Sequence, residues 1–345
     1  MKTKSTVRSR APLRLGLAGG ASDVSPFCDR YGGYVLNATI QMFAHAHLTP
    51  LDNGHVEFVA QDGSKEFTGP LAPEYPLEGD LRLHKAVYNR VVREFHDGRP
   101  LPVRLVTASD APAGSGLGAS STLVVAMVKA YVEWLSLPLG DYDVARLAFQ
   151  IEREDAGLLG GRQDQYAATF GGFNFMEFYA GERVIVNPLR VRAAIVHELE
   201  ASTVLYYTGV SRESANLIRE QRARVESAQE PAIEATKELK QDAVSMKEAL
   251  LRADFPAVAR VLGRSWEAKK KLASKMTNAT IDCAYQAAMA AGAIAGRISG
   301  AGGGGFIIFI VDPVRKLDVV RNLGKCGGEV FPCLFGEEGA QAWHL

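Results

Sequence analysis

Three glycines at alternating positions, Gly114, Gly116 and Gly118, stand directly before an apolar pattern of helical type at residues 123–130. Glycines let backbone N–H groups converge on an oxyanion, and the N-terminus of a following helix adds partial positive charge. The segment therefore predicts a loop that binds phosphate. It differs from a Walker A loop, because Ala119 occupies the position of the lysine that would follow Gly118. A tight turn between a strand and a helix, with no ligand, is the competing interpretation.

The same glycines also fit a dinucleotide-binding fingerprint, since residues 114–119 read G-x-G-x-x-A and follow a strand-like segment at residues 103–107. That fingerprint requires a second strand, ending in an acidic residue, about 20 positions further on. Residues 141–152 instead place apolar side chains at helical spacing. This helical pattern argues against a Rossmann unit.

Glu152 is a candidate metal ligand on the same predicted helix. It follows Ala148 by four residues and lies beside Ile151, which directs its carboxylate toward the apolar side of the helix. An acidic group in such surroundings needs a partner, and a divalent cation would provide one. Asp155 shares this face and is a rival ligand, and a pairing with Arg146 is the interpretation without a metal.

A second cluster of glycines, at residues 299–305, stands before the apolar run 306–311. A strand rather than a helix follows it, so the cluster does not have the context of a dinucleotide-binding loop. Four consecutive glycines indicate a close approach of the backbone to another group, either a second loop or a phosphate. A simple connector between a helix and a strand is the alternative.

The overall composition excludes several classes of function. The chain has 345 residues, with 39 Lys plus Arg and 39 Asp plus Glu, so its formal net charge is zero. This balance gives no support for binding nucleic acid or an anionic membrane, and it favours a small-molecule partner. The four cysteines show no CxxC pair and no zinc-ligand spacing, which favours reduced thiols in the cytoplasm. No secretory signal is expected, and no apolar run is long enough to span a bilayer.

The elements that must position these residues follow an α+β order. Strands are predicted at 34–40, 44–49, 55–60, 172–178, 183–187 and 202–207, and helices at 81–97, at 141–156 and over most of 211–275. The length suggests two domains. A boundary near residue 195 gives domains of 1–195 and 196–345, although no Pro/Ser-rich linker marks it.

Three segments, in order along the chain, resemble the three motifs of the GHMP small-molecule kinases. They are residues 10–23 (RAPLRLGLAGGASD), residues 112–121 (PAGSGLGASS) and residues 297–305 (RISGAGGGG). The resemblance implies an N-terminal domain like domain 2 of ribosomal protein S5, a ferredoxin-like C-terminal domain, and ATP lying across the second motif. Ala119 departs from the pattern, because many relatives carry the first of two serines at that position.

The resemblance also implies roles for individual residues. Asp164 matches the catalytic aspartate that receives the proton of the acceptor hydroxyl, and Arg14 matches an active-site arginine that keeps this aspartate ionised. Ser120 matches the serine that reaches magnesium, so Ser120 and Glu152 are the expected Mg2+ ligands. From the residues alone, an aspartate capping a helical turn and a solvated arginine on a strand are the alternatives. The expected contacts to ATP are Pro112, Gly114, Ser115, Gly116, Leu117, Gly118, Ala119, Ser120 and Ser121.

Within the family, the first motif and residues 207–214 and 265–271 are most similar to kinases that phosphorylate the anomeric hydroxyl of D-glycero-D-manno-heptose 7-phosphate. This resemblance implies an ATP- and Mg2+-dependent sugar 1-kinase in the synthesis of nucleotide-activated heptose for surface polysaccharide. A fucokinase-like or other hexose 1-kinase is one alternative, and a catalytically silent ligand-binding protein of the same fold is another. The oligomeric state is left open, with a homodimer as one option.

The expected contacts to the sugar phosphate come from several segments. Asp23 resembles the residue that accepts hydrogen bonds from sugar hydroxyls, with an aspartate of a turn as the alternative. Arg212 is favoured for the 7-phosphate, because its fork suits a phosphate and it follows a predicted strand at the start of a helix. Pairing of Arg212 with Glu213 or Glu220 is the alternative. The predicted substrate set is Gly20, Asp23, Asp164, Thr208, Gly209, Arg212, Lys269, Lys270 and Gly302.

Overall fold

The computed structural model describes residues 5–112, 114–209 and 214–345, apart from the side chain of Ser214. Arg212, the favoured ligand of the substrate phosphate, lies outside the described residues, as does the neighbouring Ser211. The described strands are β1 (Val7–Ala18), β2 (Gly33–Pro50), β3 (His55–Ala60), β4 (Lys65–Pro70), β5 (Val103–Ser109), β6 (Phe173–Phe178), β7 (Val184–Pro188), β8 (Thr203–Tyr207), β9 (Ala293–Ile298), β10 (Phe306–Val311), β11 (Glu329–Phe331) and β12 (Gln341–His344). The described helices are α1 (Phe27–Tyr31), α2 (Arg82–Phe95), α3 (Ala119–Leu135), α4 (Asp141–Gln150), α5 (Gln163–Phe170), α6 (Ala193–Ser202), α7 (Ser214–Glu226), α8 (Glu230–Leu251), α9 (Phe255–Lys270), α10 (Ala279–Ala290) and α11 (Lys316–Leu323).

The long strand β2 organises the first sheet, whose order is β12-β1-β2-β5-β3-β4, with β6 on β2 and β7 on β6. The first part of β2 pairs with β6, so that Leu36 lies opposite Phe175. The last part pairs with β5, so that Leu48 lies opposite Leu105. The sequence predicts two strands here, but the structure joins them. The chain stays extended between them because β1 continues alongside, and the backbone N–H of Gln41 donates to the carbonyl oxygen of Leu334 at 2.9 Å.

Helix α3 covers one face of the first sheet. Val124 and Val128 of α3 are fully buried in one apolar cluster with Leu48 and Leu105 of the sheet. This apolar contact fixes the direction of the helix, since leaving such side chains in water would cost about 25 cal/mol for each Å² exposed. The start of α3, with its serines, is thereby held at the edge of the sheet.

The second sheet has the antiparallel order β11-β8-β10-β9. Its strand β10 is buried on both faces. Ile308 packs with Leu262 of α9, whereas Ile307 and Phe309 pack with Ala284 of α10. Successive side chains of a strand point to opposite faces, so two covered faces explain the uninterrupted apolar run. Layers of helix and antiparallel sheet agree with the predicted α+β class.

The end of the chain returns to the first sheet. Strand β12 pairs antiparallel with β1, and Val7 lies opposite His344. The second sheet is therefore built from strands between residues 203 and 331, while both ends of the described chain contribute to the first. The division into domains of 1–195 and 196–345 stays a prediction.

The helices follow the sequence pattern closely. The predicted helix at 81–97 corresponds to α2, and the described part of 211–275 is formed mainly by α7, α8 and α9. Helix α4 continues into a π-helical turn, Ile151–Asp155, so the segment that argued against a Rossmann unit is helical. Among the described residues, no helix is both long and apolar enough to cross a membrane.

Candidate active site

A cleft of about 270 Å³ lies where loops of the two sheets meet. Its walls are formed by the glycine loop before α3, the first turn of α3, the π-helical turn, the start of α5, the end of α9 and the loop after β9. Most of the residues predicted for the site are brought together here. They are Arg14, Gly20, Asp23, Gly114, Ser115, Gly116, Gly118, Ala119, Ser120, Ser121, Glu152, Asp164 and Lys269.

The two glycine clusters lie directly against each other at the cleft. The backbone N–H of Phe306 donates to the carbonyl oxygen of Ser115 at 2.9 Å, and Ser299 Oγ donates to that of Gly116 at 2.9 Å. A Cβ atom at Gly116 would lie 2.6 Å from the carbonyl oxygen of Ser299, and one at Gly305 would overlap that of Ser115. The second glycine cluster was expected to approach either another loop or a phosphate. In the structure it contacts the first glycine loop.

Arg14 of β1 and Asp164 of α5 form an ion pair at the cleft. Arg14 Nε and Nη2 lie 2.7 and 2.6 Å from Asp164 Oδ1, distances typical of charge-assisted hydrogen bonds. Arg14 Nη1 also donates to the carbonyl oxygen of Gly116 at 2.7 Å. The Arg14 side chain is 5% exposed and that of Asp164 is 19% exposed. Arg14 thus orients the aspartate beside the glycine loop while leaving it accessible from the cleft.

Glu152 lies on the π-helical turn with its side chain 1% exposed. Ser120 Oγ donates to its Oε1 at 2.7 Å, and Gln165 Nε2 donates to its Oε2 at 2.6 Å. The Nη1 atom of Arg153 lies 3.3 Å from Oε1. The buried carboxylate therefore has partners for both oxygen atoms, as burial of a charge requires. A widened helical turn at such a position is a common feature of functional sites.

The carboxylate of Glu152 and the hydroxyl of Ser120 fit a magnesium site. Mg2+ prefers oxygen ligands, and it usually takes one or two carboxylates together with waters and substrate phosphates. Both side chains line the cleft that the glycine loop borders. The described residues hold no group of three His, Cys, Asp or Glu side chains that could bind a metal by itself. A magnesium ion here would need phosphate and water to complete its coordination.

The alternatives to Glu152 are engaged elsewhere. Asp155 makes two hydrogen bonds with Arg90, at 2.7 and 2.8 Å, and does not line the cleft. Arg146 lies 3.6 Å from Asp143 on the surface of α4. Neither alternative therefore competes for the position that Glu152 occupies.

Asp23 is buried in the wall of the cleft, at 1% exposure. The backbone N–H of Gln163 donates to its Oδ2 and Gln163 Nε2 to its Oδ1, both at 3.1 Å. A Cβ atom at Gly161 would overlap the carboxylate. Burial, and after it the charge of Asp164, raise the pKa of Asp23 above its ordinary value, while the backbone hydrogen bonds oppose this shift.

Lys269, near the end of α9, lies in the same part of the cleft and is 2% exposed. Its Nζ donates to the carbonyl oxygen of Gly300. Burial, followed by the nearby charges of Arg297 and Arg14, lowers the pKa of Lys269 well below its ordinary value, and Asp23 acts in the opposite direction. No described carboxylate lies within ion-pair distance of this ammonium group.

Lys270 points away from the cleft. Its Nζ lies 2.7 Å from Glu267 and 5.9 Å from the centre of the Trp266 ring. Neighbouring residues of a helix are rotated by about 100°, so only one of two consecutive lysines can face a given site. The structure places Lys269 in that position and leaves Lys270 on the helix surface, which gives no support to the substrate contact predicted for Lys270.

Further predicted residues shape the loops without lining the cleft. Thr208 Oγ1 donates to the carbonyl oxygen of Gly305 at 3.0 Å. A Cβ atom at Gly302 would lie 2.6 Å from Met276 Sδ, so this glycine faces Met276. The predicted site residues that lie outside the cleft wall are Pro112, Leu117, Thr208, Gly209, Lys270 and Gly302.

Four polar residues of the cleft are absent from the sequence-based set: Arg153, Gln163, Gln221 and Arg297. Arg297 is fully buried, and its Nη1 donates to the carbonyl oxygen of Leu17 and to Ser265 Oγ, both at 3.2 Å. Burial lowers its pKa to about 10. An arginine inside the otherwise apolar strand β9 was a usable signal. Arg153 and Gln163 are each adjacent in sequence to a predicted ligand, which was the only other hint.

Phosphoryl transfer needs an oriented phosphate, compensation of its negative charge and a group that receives the proton of the acceptor. The cleft offers these functions on separate elements, which is the arrangement of a small-molecule phosphotransferase. Residues 82–172 match the N-terminal domain of the GHMP kinases, and residues 246–328 match their C-terminal domain. The chain belongs to the GHMP kinase family.

Individual relatives agree with this assignment. The D-glycero-alpha-D-manno-heptose 7-phosphate kinase of Campylobacter jejuni is 48% identical over 347 residues, covering 99% of each chain. A crystal structure of a D-glycero-D-manno-heptose 1-phosphate kinase from Bacteroides thetaiotaomicron is 47% identical with a TM-score of 0.84, covering 98% of this chain and 99% of that one. Lactococcus lactis galactokinase complexed with galactose, at 18% identity and a TM-score of 0.78, covers 98% and 95% and shares the fold. The family, the fold class and the kinase activity predicted from the sequence are confirmed.

Proposed function

We propose that this enzyme transfers the γ-phosphoryl group of ATP to the anomeric hydroxyl of D-glycero-D-manno-heptose 7-phosphate. Membership of the family implies ATP as the phosphoryl donor. Identity of 48% with the Campylobacter jejuni kinase, maintained over 99% of both chains, supports the heptose 7-phosphate as acceptor. The name of the Bacteroides relative assigns it a heptose 1-phosphate instead, so the position of the new phosphate is the point to be tested.

Asp164 would receive the proton of the acceptor hydroxyl. Arg14 bonds its Oδ1 atom, and no described donor bonds Oδ2, which leaves one oxygen for the hydroxyl. The glycine loop and the start of α3 would hold the phosphates through backbone N–H groups. The hydroxyl of buried Ser115 has no hydrogen-bond partner among the described residues, as expected for a group that binds a ligand.

Glu152 and Ser120 would hold Mg2+. Held there, the ion would compensate negative charge on the phosphates. Arg14 contributes further positive charge near the same place, because it bridges Asp164 and Gly116.

The main support for a phosphorylated substrate is that Lys269 is buried and no described carboxylate lies within ion-pair distance of it. Three cations, Arg14, Lys269 and Arg297, lie in this part of the cleft with two carboxylates, Asp23 and Asp164. Burial without an anion favours the neutral amine of Lys269, and an anion bound beside it would hold the side chain in its charged form. The phosphate of the sugar would be that anion, with Asp23 accepting hydrogen bonds from sugar hydroxyls. Arg212, outside the described residues, stays a candidate ligand of the same phosphate.

Lys269→Met tests this assignment. We expect KM for heptose 7-phosphate to rise at least about tenfold, while weak activity on the unphosphorylated heptose stays nearly unchanged. Lys271→Met, at the exposed residue that directly follows α9, is the matched control. Equal losses on both sugars, or an equal effect of the control, would rule out Lys269 as the phosphate ligand.

We extend the proposal to the setting of the reaction. The product would feed the synthesis of nucleotide-activated heptose for surface polysaccharide, in the cytoplasm, with a homodimer as one option for the assembly. The support for a reducing compartment is the spacing of the four cysteines, which shows no CxxC pair and no zinc-ligand pattern.

A further inference from the structure

Arg153 lines the cleft beside the first turn of α3, and all of its polar contacts there are long. Its Nη1 lies 3.3 Å from Glu152 Oε1 and 3.3 Å from the carbonyl oxygen of Leu159. Its Nη2 lies 3.3 Å from Ser121 Oγ, and its Nε lies 3.4 Å from the carbonyl oxygen of Gly161. Charge-assisted hydrogen bonds are ordinarily 2.7 to 2.9 Å long, so each of these contacts is weak.

Two other buried arginines, Arg90 and Arg14, are held differently. Arg90 contacts Asp155 at 2.7 and 2.8 Å, and Arg14 contacts Asp164 at 2.6 and 2.7 Å. Short contacts to one carboxylate are what a structural pair needs, because both charges must be compensated. Arg153 is only 12% exposed and has no short contact of this kind, since its four contacts are all 3.3 to 3.4 Å long, and a ligand with shorter contacts could replace them.

The loop beside Arg153 leaves space for its side chain. A Cβ atom at Gly160 would overlap the Arg153 guanidinium group. Gly160 therefore has a steric role in the position of this arginine, as Gly161 has for Asp23. The paired glycines of this segment each make room for a charged side chain of the cleft.

We propose that Arg153 is a direct ligand of the nucleotide phosphates. It stands next to Ser120 and Ser121 in the first turn of α3, where a Walker A lysine is lacking. In the free enzyme it rests against Glu152, and with nucleotide its guanidinium group turns to the phosphate oxygens, for which its fork is suited. This inference rests on the nucleotide site of the proposed function.

Removal of Arg153 alone would be ambiguous, because it also uncovers the Glu152 carboxylate, which repels phosphate. The decisive comparison is therefore between Glu152→Gln and the double variant Glu152→Gln/Arg153→Gln. Binding of ADP without Mg2+ is measured by calorimetry, with adenosine as the probe that lacks phosphates. Arg146→Gln, on the exposed face of α4, is the matched control.

We expect the double variant to bind Mg2+-free ADP at least about tenfold more weakly than Glu152→Gln, with adenosine affinity unchanged. Gly160→Ala, which displaces the guanidinium without removing it, should give a smaller loss of the same kind. Equal ADP affinity of Glu152→Gln and the double variant would show that Arg153 only masks Glu152, and would overturn the inference. A wild-type enzyme that binds neither ADP nor adenosine would instead overturn the proposed nucleotide site itself.

Discussion

A substitution of Asp164 tests the proposed chemistry at the scale of a single residue. Asp164→Asn keeps the shape of the side chain and a hydrogen bond to Arg14 while removing the proton acceptor. We expect kcat to fall by roughly 10² to 10⁴, with little change in ATP affinity, because the change affects the reacting proton rather than the nucleotide. Steady-state kinetics together with calorimetry of ATP binding measure both quantities. Near-normal turnover would exclude Asp164 as the base and leave activation of the hydroxyl to Arg14 and the metal.

His84 makes the stability of the protein depend on pH. It is buried on α2, its Nε2 lies 2.9 Å from Thr107 Oγ1, and burial lowers its pKa from 6.5 to about 4. Between these values the unfolded chain binds a proton that the folded chain does not, so stability is complete above pH 6.5 and is lost as the pH falls toward 4. The shift corresponds to about 3 kcal/mol over the whole window.

Denaturant unfolding of wild type and His84→Gln at pH 7 and near pH 4 measures this effect. The variant should lose less stability than wild type over that interval, because it has no imidazole to titrate. His55→Gln, at an exposed position, is the control and should behave like wild type. Parallel losses in wild type and His84→Gln would show that other groups cause the acid sensitivity.

At the scale of residues, the sequence could predict Arg14 and Asp23 from the first motif, Asp164 from the family resemblance and Glu152 from its place on a predicted helix. All four line one cleft, although 150 positions separate Arg14 from Asp164. The choice between consecutive lysines could not be made from sequence, because it depends on the phase of α9 relative to the cleft. The contact of Arg153 with Glu152 was equally hidden, since neighbours in an ideal α-helix do not face each other.

At the scale of elements, the contact between the two glycine loops determines the shape of the phosphate site. Gly116→Ala would place a Cβ atom 2.6 Å from the carbonyl oxygen of Ser299, and would do so at a φ of +82°. We expect ATP affinity to fall at least about tenfold and the unfolding free energy to fall by about 1 to 3 kcal/mol, because the loop must move and the backbone is strained. Thermal unfolding and nucleotide titration test this pair of effects.

Gly324→Ala provides the control for an added methyl group, since no atom lies within 4 Å of the Cβ position there. It should leave both quantities nearly unchanged. Unaltered ATP affinity in Gly116→Ala would mean that the inter-loop contact does not position the phosphate site.

The boundaries of helices and strands were predictable where the period of the apolar residues and the length of the segment indicated the same element. Helix α2 and the strand pair β6 and β7 follow their patterns, because one buried face imposes one period. The joining of two predicted strands into β2 was not predictable, since it depends on β1 running alongside. The π-helical turn at Glu152 was also hidden, because its local sequence is compatible with an ordinary α-helix.

At the scale of the whole molecule, the cleft exists only where both sheets meet. Arg14 and Asp164 come from elements of the first sheet region, whereas Lys269 and Arg297 come from α9 and β9. Strand β12, from the C-terminal part of the chain, pairs with β1 and forms one edge of the first sheet. Such long-range pairing leaves little trace in local sequence, which is why motif order, rather than element prediction, identified the site.

The measurement that tests the central claim most directly is the position of the phosphate in the product. The enzyme is incubated with ATP, Mg2+ and D-glycero-D-manno-heptose 7-phosphate, ADP release is followed by a coupled assay, and the product is examined by phosphorus NMR. We predict ADP release in proportion to the sugar consumed and a new phosphorus resonance coupled to the anomeric proton. ADP release only with heptose 1-phosphate or an unphosphorylated hexose, or a new phosphate on another carbon, would contradict the account.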